Sequence, residues 1–232
     1  NREQTYVVRL YGEIGTFTCS TLPGVSVKVL LEGAYDAGSS AMRTDLAGSI
    51  PAAAPGGTEY VGTPDYYATH SNLTDWVRIE LWTNDAGSPG ELVAFRSAHV
   101  DKDGMIEDFE GGPVRFVEAT AGTAYFVRVE HRNHVPVTSS VPVTVSATPT
   151  LYDFTASATA AAGTNAQVEV EPGVFAMHGG DADGNGSVDA LDALLMWLPQ
   201  STTTGYLGAD FDLDGDVDNV DLLNIWLRSN GR

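Results

Sequence analysis

Two twelve-residue stretches near the C-terminus constrain this chain more than anything else in it. The first runs D-A-D-G-N-G-S-V-D-A-L-D from Asp181, and the second, 29 residues on, runs D-F-D-L-D-G-D-V-D-N-V-D from Asp210. Each places oxygen-bearing side chains at positions 1, 3, 5, 9 and 12. In one copy these are Asp181, Asp183, Asn185, Asp189 and Asp192; in the other they are Asp210, Asp212, Asp214, Asp218 and Asp221. Position 7, Ser187 or Asp216, offers its backbone carbonyl, so its side chain is free to vary. Gly186 and Gly215 stand where the backbone must turn sharply, and Val188 and Val217 fill an apolar position. A solvated acidic turn accounts for one D-x-D-G. It does not account for two in register, each with position 12 filled and each leading into an apolar helical pattern. The spacing is that of a loop wrapping a hard cation in six or seven oxygens, and it predicts two calcium ions.

The loops are of the EF-hand type with two departures. Position 12 is Asp where Glu is usual, and no amphipathic helix precedes either loop, since 176–180 and 205–209 are short and glycine-rich. Each is a half EF-hand: a loop followed by one helix. A tandem pair of Asp-terminated loops, each with its helix, resembles a type I dockerin over residues 179–232. The resemblance implies two antiparallel helices about a pseudo-twofold axis, with a cohesin partner on the helix faces. Where cellulosomal dockerins usually carry a Ser-Thr pair at positions 10 and 11, this chain has Ala190-Leu191 and Asn219-Val220.

Leu191, Leu194, Leu195 and Leu198 recur at helical spacing, as do Val220, Leu223 and Leu227, with Trp197 and Trp226 at equivalent places. Pro199 is expected to stop the first helix. Helices of about ten residues are marginal alone. They must pack on each other, on the rest of the chain or on a partner, with calcium supplying much of the folding energy.

Residues 5–154 read as β throughout. Val25, Val27, Val29 and Leu31 alternate with polar neighbours, as do Val77, Ile79 and Leu81, then Tyr125, Val127 and Val129, then Val141, Val143 and Val145. Further strands are expected at 6–11, 92–100, 114–117 and 151–154, with turn residues between. Seven or eight short strands predict a mainly β fold, a β-sandwich of Ig-like or transthyretin-like kind over residues 1–178, with a small helical calcium module behind it. A long connection, 33–74, interrupts the strands and holds Tyr60, Tyr66 and Tyr67; it is read as a surface excursion pinned by its tyrosines, or else a binding loop. The run 75–146 is similar to modules of secreted bacterial surface proteins and to transthyretin-like and CnaB-like sandwiches, which implies a non-catalytic extracellular scaffold. Residues 155–168 are small and polar enough for a linker, the alternative being an extended segment lying on the sandwich edge.

The net charge of −19 argues against nucleic acid and anionic membrane as partners. Ten aspartates against Arg228 and Arg232 give residues 179–232 eight of those negative charges. No apolar run reaches the roughly 20 residues that span a bilayer. An extracellular or cell-surface location is expected, with any signal peptide already removed; the single Cys19 says little about compartment.

Catalytic signatures are poor: no nucleophile elbow, phosphate-binding loop or dinucleotide fingerprint is present. His131 and His134 read as a strand-end hydrogen-bonding cluster, zinc being the weaker alternative for want of a third ligand. Asp101 and Asp103 read as a hairpin turn. The expectation is a non-catalytic, secreted, calcium-binding assembly protein, a subunit of an extracellular filament or surface structure. Its partner would be itself, as a homo-polymer, or a cohesin-like surface protein. The alternative is a carbohydrate-binding accessory module of a cell-surface or cellulosome-like glycan-degrading complex, using Trp76, Trp82 or the loop tyrosines as glycan platforms.

Overall fold

Alternating valines, buried on one side, build the sheet that carries everything else. The computed structural model describes residues 5–10, 13–18, 22–51, 70–109 and 111–232, the first two stretches by their backbone course alone. Tyr60, Tyr66, Tyr67 and Cys19 lie outside the described residues. The strands are β1 (Thr5–Leu10), β2 (Glu13–Thr18), β3 (Gly24–Lys28), β4 (Tyr35–Asp36), β5 (Ala41–Met42), β6 (Leu73–Asp85), β7 (Ser88–Asp101), β8 (Met105–Glu107), β9 (Val114–Arg115), β10 (Ala124–His131), β11 (His134–Thr138), β12 (Val143–Thr144), β13 (Leu151–Asp153), β14 (Val168–Glu171) and β15 (Val174–Ala176). The fold is mainly β.

Nine strands form one sheet in the order β11-β10-β6-β7-β8-β3-β13, with β12 added to β10 and β9 to β3. The pairings are antiparallel except β13 on β3, which is parallel. Val143 pairs with Tyr125 of β10, and three residues later Ser146 meets Gly24 of β3, so the sheet curls around a shared core. That core takes Val25, Val27, Val29 and Leu31 together with Val77, Ile79, Leu81, Val127 and Val129, as the alternation predicts. β6 and β7 are the long hairpin at its centre, closed by Ala86-Gly87, both with positive φ, the backbone that a tight two-residue hairpin turn demands.

Several expectations shift. β1 pairs with β2 in a separate two-stranded sheet, and β2, β8, β11, β14 and β15 are strands the alternation did not single out, most of them short. The long connection contains the β4–β5 hairpin and ends in β6, which already begins at Leu73. Residues 155–168 hold no free tether. Ser139 bridges Ala161, Ala162 N donates to the Thr138 carbonyl, and Ala161 is buried, so the segment lies along the β11 edge. Its alanines fit where larger side chains would stand off.

The C-terminal segment holds two helical stretches, residues 190–200 (α1) and 219–229 (α2). The middle six residues of each are wound as π-helix, with Leu198 N–H donating to the Ala193 carbonyl and Leu227 N–H to that of Leu222. Pro199 sits inside the last turn of α1 rather than before it; the chain leaves the helix at Ser201. One proline near a helix end removes only one donor.

This segment is not tethered at a distance. Leu213, from the second loop, is buried in the same core as the sheet valines. Gly33 lies so close to the loop that a Cβ there would sit 1.7 Å from the Phe211 carbonyl oxygen. Gly33→Ala is therefore expected to push loop and sheet apart and to cost about 1–3 kcal/mol, the usual range for overpacking. Urea denaturation of the two proteins side by side measures it; an unchanged midpoint contradicts the packing described.

Candidate metal centre

Each loop is organised from its last position backwards. Asp192 Oδ1 accepts the N–H groups of Ala182 and Asp183, and its Oδ2 accepts that of Asp189. Asp221 repeats this with Phe211, Asp212 and Asp218. Position 1 closes the glycine turn: Gly186 N–H donates to Asp181, and Gly215 N–H to Asp210. The two halves then hold each other reciprocally. Trp197 Nε1 donates to the Asp218 carbonyl at 2.9 Å, and Trp226 Nε1 to the Asp189 carbonyl at 2.9 Å. Val188 exchanges backbone hydrogen bonds with Gly231 and Arg232, and Val217 does so with Thr202 and Thr203.

Among the described residues, two groups of carboxylates converge with one oxygen of each within 4.8 Å of the others: Asp181, Asp183 and Asp192, and Asp210, Asp212 and Asp214. Asn185 Oδ1 accepts the Ser187 N–H and its amide donates to Asp183. Asp189 and Asp218 cap the helix starts through the N–H groups of Leu191 and Val220. Asp216 projects outward, as a position that offers only its carbonyl permits. Of the residues expected from sequence to hold a metal, the structure brings three carboxylates of each copy together, while Asp189, Asp218 and Asp221 lie outside these two groups.

Like charges so close are unstable without a counter-ion. Burial pushes the Asp181 carboxyl up to about 6, with Asp192 and Asp183 adding to it. Burial likewise raises Asp210 to about 7, Arg132 opposing and Asp221 and Asp212 reinforcing, and raises Asp212 to about 6. Asp181 Oδ1 and Asp212 Oδ1 are buried and have no hydrogen-bond partner. Burial without a partner is costly for a carboxylate oxygen, so these two atoms are open ligand positions. Oxygen-only donor sets of this kind suit a hard divalent cation such as calcium rather than zinc.

The seven apolar helix residues do not form the packed face that their spacing predicts. Leu191, Leu194, Leu195 and Leu198 on α1, and Val220, Leu223 and Leu227 on α2, are all exposed, Leu195 by 64%. The reason is rotational. Asp192 and Asp221 must face their own loops, which turns Met196, Ile225 and Ser229 inward at four-residue spacing and swings the leucines out. The small inner cluster consists of Ala182, Ala209, Phe211, Val217 and Ile225, edged by Met196 and both tryptophans.

A buried polar network joins the second loop to the sheet. Asp75, fully buried on β6, accepts from Arg132 Nε at 2.9 Å, from Tyr206 Oη at 2.6 Å and from His131 Nε2 at 3.1 Å. Burial alone would raise its carboxyl; Arg132, His131 and Tyr206 together hold it well below the usual range. His134 Nε2 accepts the Gly33 N–H, so its proton is on Nδ1, shared between His131 Nδ1 and the Asn133 amide oxygen. His131 then carries its proton on Nε2, facing Asp75. Both rings are neutral in this chain of donors, in keeping with burial lowering both. Arg132 continues to the second loop: it lies over the Tyr206 ring, donates to the Leu207 carbonyl, and brings Nη2 to 3.9 Å from Asp210. Asn133 Nδ2 donates to the Asp210 carbonyl. The histidine pair is thus a hydrogen-bonding cluster, as its sequence position suggested. Arg132 and Asn133, read from sequence only as spacers between histidines, are the connection. Glu32 makes a second one, accepting from Gly179 N–H and Ser229 Oγ.

Two other candidates resolve simply. Asp101 Oδ1 accepts the N–H groups of Asp103 and Met105, which makes the segment a hairpin turn. Trp76 is buried and its Nε1 donates to the Pro51 carbonyl, so its ring is no platform for a sugar; Trp82 stays partly exposed, bonded to Glu80.

No family of known proteins matches the sequence, and no curated protein matches it. Among solved structures, two complexes of a type II cohesin with an X-dockerin from Acetivibrio cellulolyticus are similar, one an N-terminal and one a C-terminal interface mutant. Each is 16% identical, with TM-scores of 0.41 and 0.40, over 90% of this chain and 97% of the matched one. A likeness of this extent leaves function to be read from the residues themselves.

Asp75→Asn removes the charge that compensates buried Arg132. It is expected to cost about 3–5 kcal/mol, the range for breaking a buried ion pair. Chemical denaturation measures the loss; a change below about 1 kcal/mol contradicts the role given to Asp75.

Proposed function

We propose that residues 179–232 are a dockerin-like pair of half EF-hands holding two calcium ions, and that the protein is a non-catalytic interaction module. It docks through the exposed face of α1 and α2 onto a partner protein in an extracellular or cell-surface assembly of the cellulosome kind. The observation that carries this reading is the outward apolar face: seven exposed Leu and Val side chains on two short helices whose rotation is fixed by the loops beneath them. A contiguous apolar patch surrounded by polar groups is characteristic of a protein-docking surface.

Asp181, Asp183, Asn185, Asp189 and Asp192 with the Ser187 carbonyl would hold one ion, and Asp210, Asp212, Asp214, Asp218 and Asp221 with the Asp216 carbonyl the other. Bound calcium supplies the charge that lets these carboxylates stay ionised and buried together. The carboxylates raised to about 6 or 7 take up protons as the pH falls through those values, so protons compete with calcium at acid pH. Millimolar extracellular calcium suits loops used as permanent pins. No helix among the described residues is long and apolar enough to cross a membrane. Apolar Leu191 and Val220 at positions 11, in place of the usual hydroxyl, favour a partner with an apolar complement.

The experiment is a binding assay in calcium against a panel of purified cohesin modules, using the full chain and a Leu195→Glu/Leu223→Glu double variant. Both side chains are exposed, so the variant is expected to keep its melting temperature and lose at least about a hundredfold in affinity for the cohesin that binds the parent. Failure of every cohesin, together with calcium-dependent polymerisation in light scattering, would turn the reading toward a self-assembling filament.

A further inference from the structure

The two loops are near-copies in sequence, yet they stand in different surroundings. In the first, Asp183 and Gly184 are exposed, and a Cβ added at Gly184 or Gly186 would meet nothing within 4 Å. In the second, the equivalent Asp212 and Leu213 are buried. A Cβ at Gly215 would touch Leu46 at 3.6 Å, and Gly33 abuts the Phe211 backbone. Gly33 and Leu46 both come from one stretch, 33–50, the first part of the long connection. That stretch is itself well held: Arg43 N–H donates to the Ala34 carbonyl, Met42 N–H to that of Lys102, and Ile50 N–H to that of Leu46.

It also delivers a cation. Arg43 Nη1 lies 2.9 Å from Asp212 Oδ2, leaving the buried Asp212 Oδ1 as the oxygen without a partner. Arg132, from the β10–β11 turn, approaches Asp210. The second loop carries six carboxylates against four in the first. Arg43 pairs directly with one of the six, while Arg132, whose charge Asp75 already answers, adds only its more distant approach to Asp210. No described cation pairs with a carboxylate of the first loop.

We propose that residues 33–50 form a fixed cover over the second loop and that Arg43, assisted by Arg132, stands in for the ion there, so that withdrawing calcium opens the first loop alone. This rests on the calcium reading above and adds to it an order of events. The second half-hand remains part of the sheet body whether or not metal is bound, because its carboxylates keep a counter-charge and its loop keeps a wall. The first half-hand has no paired cation, and beyond the Gly180 and Asp181 N–H groups on the Asn133 carbonyl its loop tip is exposed, so its loop and α1 depend on the ion. Calcium then controls only half of the docking face, the α1 half, while α2 stays presented. The long connection thereby acquires a function that its composition did not reveal.

Amide hydrogen exchange on the full chain, calcium-loaded and after chelation, tests this. Peptides from 181–192 are expected to exchange on the order of tenfold faster after chelation, and peptides from 210–221 less than about threefold faster. In Arg43→Gln the second loop should become as sensitive as the first, and Arg43→Lys, which keeps a charge, should restore most of its protection. Equal responses of the two loops in the parent protein, or an unresponsive second loop in Arg43→Gln, overturn the proposal. Counting bound ions by native mass spectrometry on the same samples separates the two levels. Two ions with equal loop responses defeat the cover alone, whereas no bound ion defeats the calcium reading and the cover with it.

Discussion

The carboxylates of Asp192 and Asp221 set the geometry on which the C-terminal segment depends. Each accepts three N–H groups from its own loop, so each ties the end of a loop to the start of a helix. Once those two residues point inward, helix rotation is no longer free. Met196, Ile225 and Ser229 must follow inward, both tryptophans reach the opposite loop, and the leucines face water. The inner apolar cluster is small, and clusters of that size do not hold short helices alone. Reciprocal tryptophan and valine backbone bonds, the junction with the sheet, and the proposed ions carry the rest.

At that junction the chain places charge where water is absent. Asp75 is ionised in the interior because Arg132, His131 and Tyr206 all donate to it, and Arg132 is tolerated there because Asp75 and Asp210 answer it. A buried pair of this sort contributes little net stability over an apolar substitute, but it admits few alternative arrangements. Its effect is positional: the second loop is held in one place on the sheet. The first loop lacks such a charged partner and meets the sheet through the Gly180 and Asp181 N–H groups, which donate to the Asn133 carbonyl.

Much of this was legible in the sequence, and the illegible part has a physical cause. Period-two alternation located β3, β6 and β10, and β7 was expected in part at 92–100; β6 buries much of its second face too, with Thr74, Trp76 and Glu80 inside. Alternation passed over β8, β9 in part, β11 and β14, which are too short for it to register. The loops were legible because a metal-type loop fixes residue identity position by position. The leucine stripe was legible as a helical face whose cover was left open among the other helix, the rest of the chain and a partner: amphipathic spacing tells which residues share a side, not what covers that side. Arg43, Arg132, Asn133 and Glu32 carried no signal at all. Their roles come from contacts with residues 57–197 positions away, and no local pattern encodes those. The long connection, read as a surface excursion or a binding loop, did not reveal what it meets for the same reason: over 33–50 its wall is a loop near the other end of the chain.

The central claim is that two carboxylate loops each close on one calcium ion beneath the exposed helix face. Native mass spectrometry of the full chain through a calcium titration tests it most directly, with Asp181→Ala and Asp210→Ala run beside it. The account predicts two bound ions in the parent chain and one in each variant, with no third ion before nonspecific adduction begins. A parent chain that takes up one ion or none, or a variant that still binds two, would contradict it.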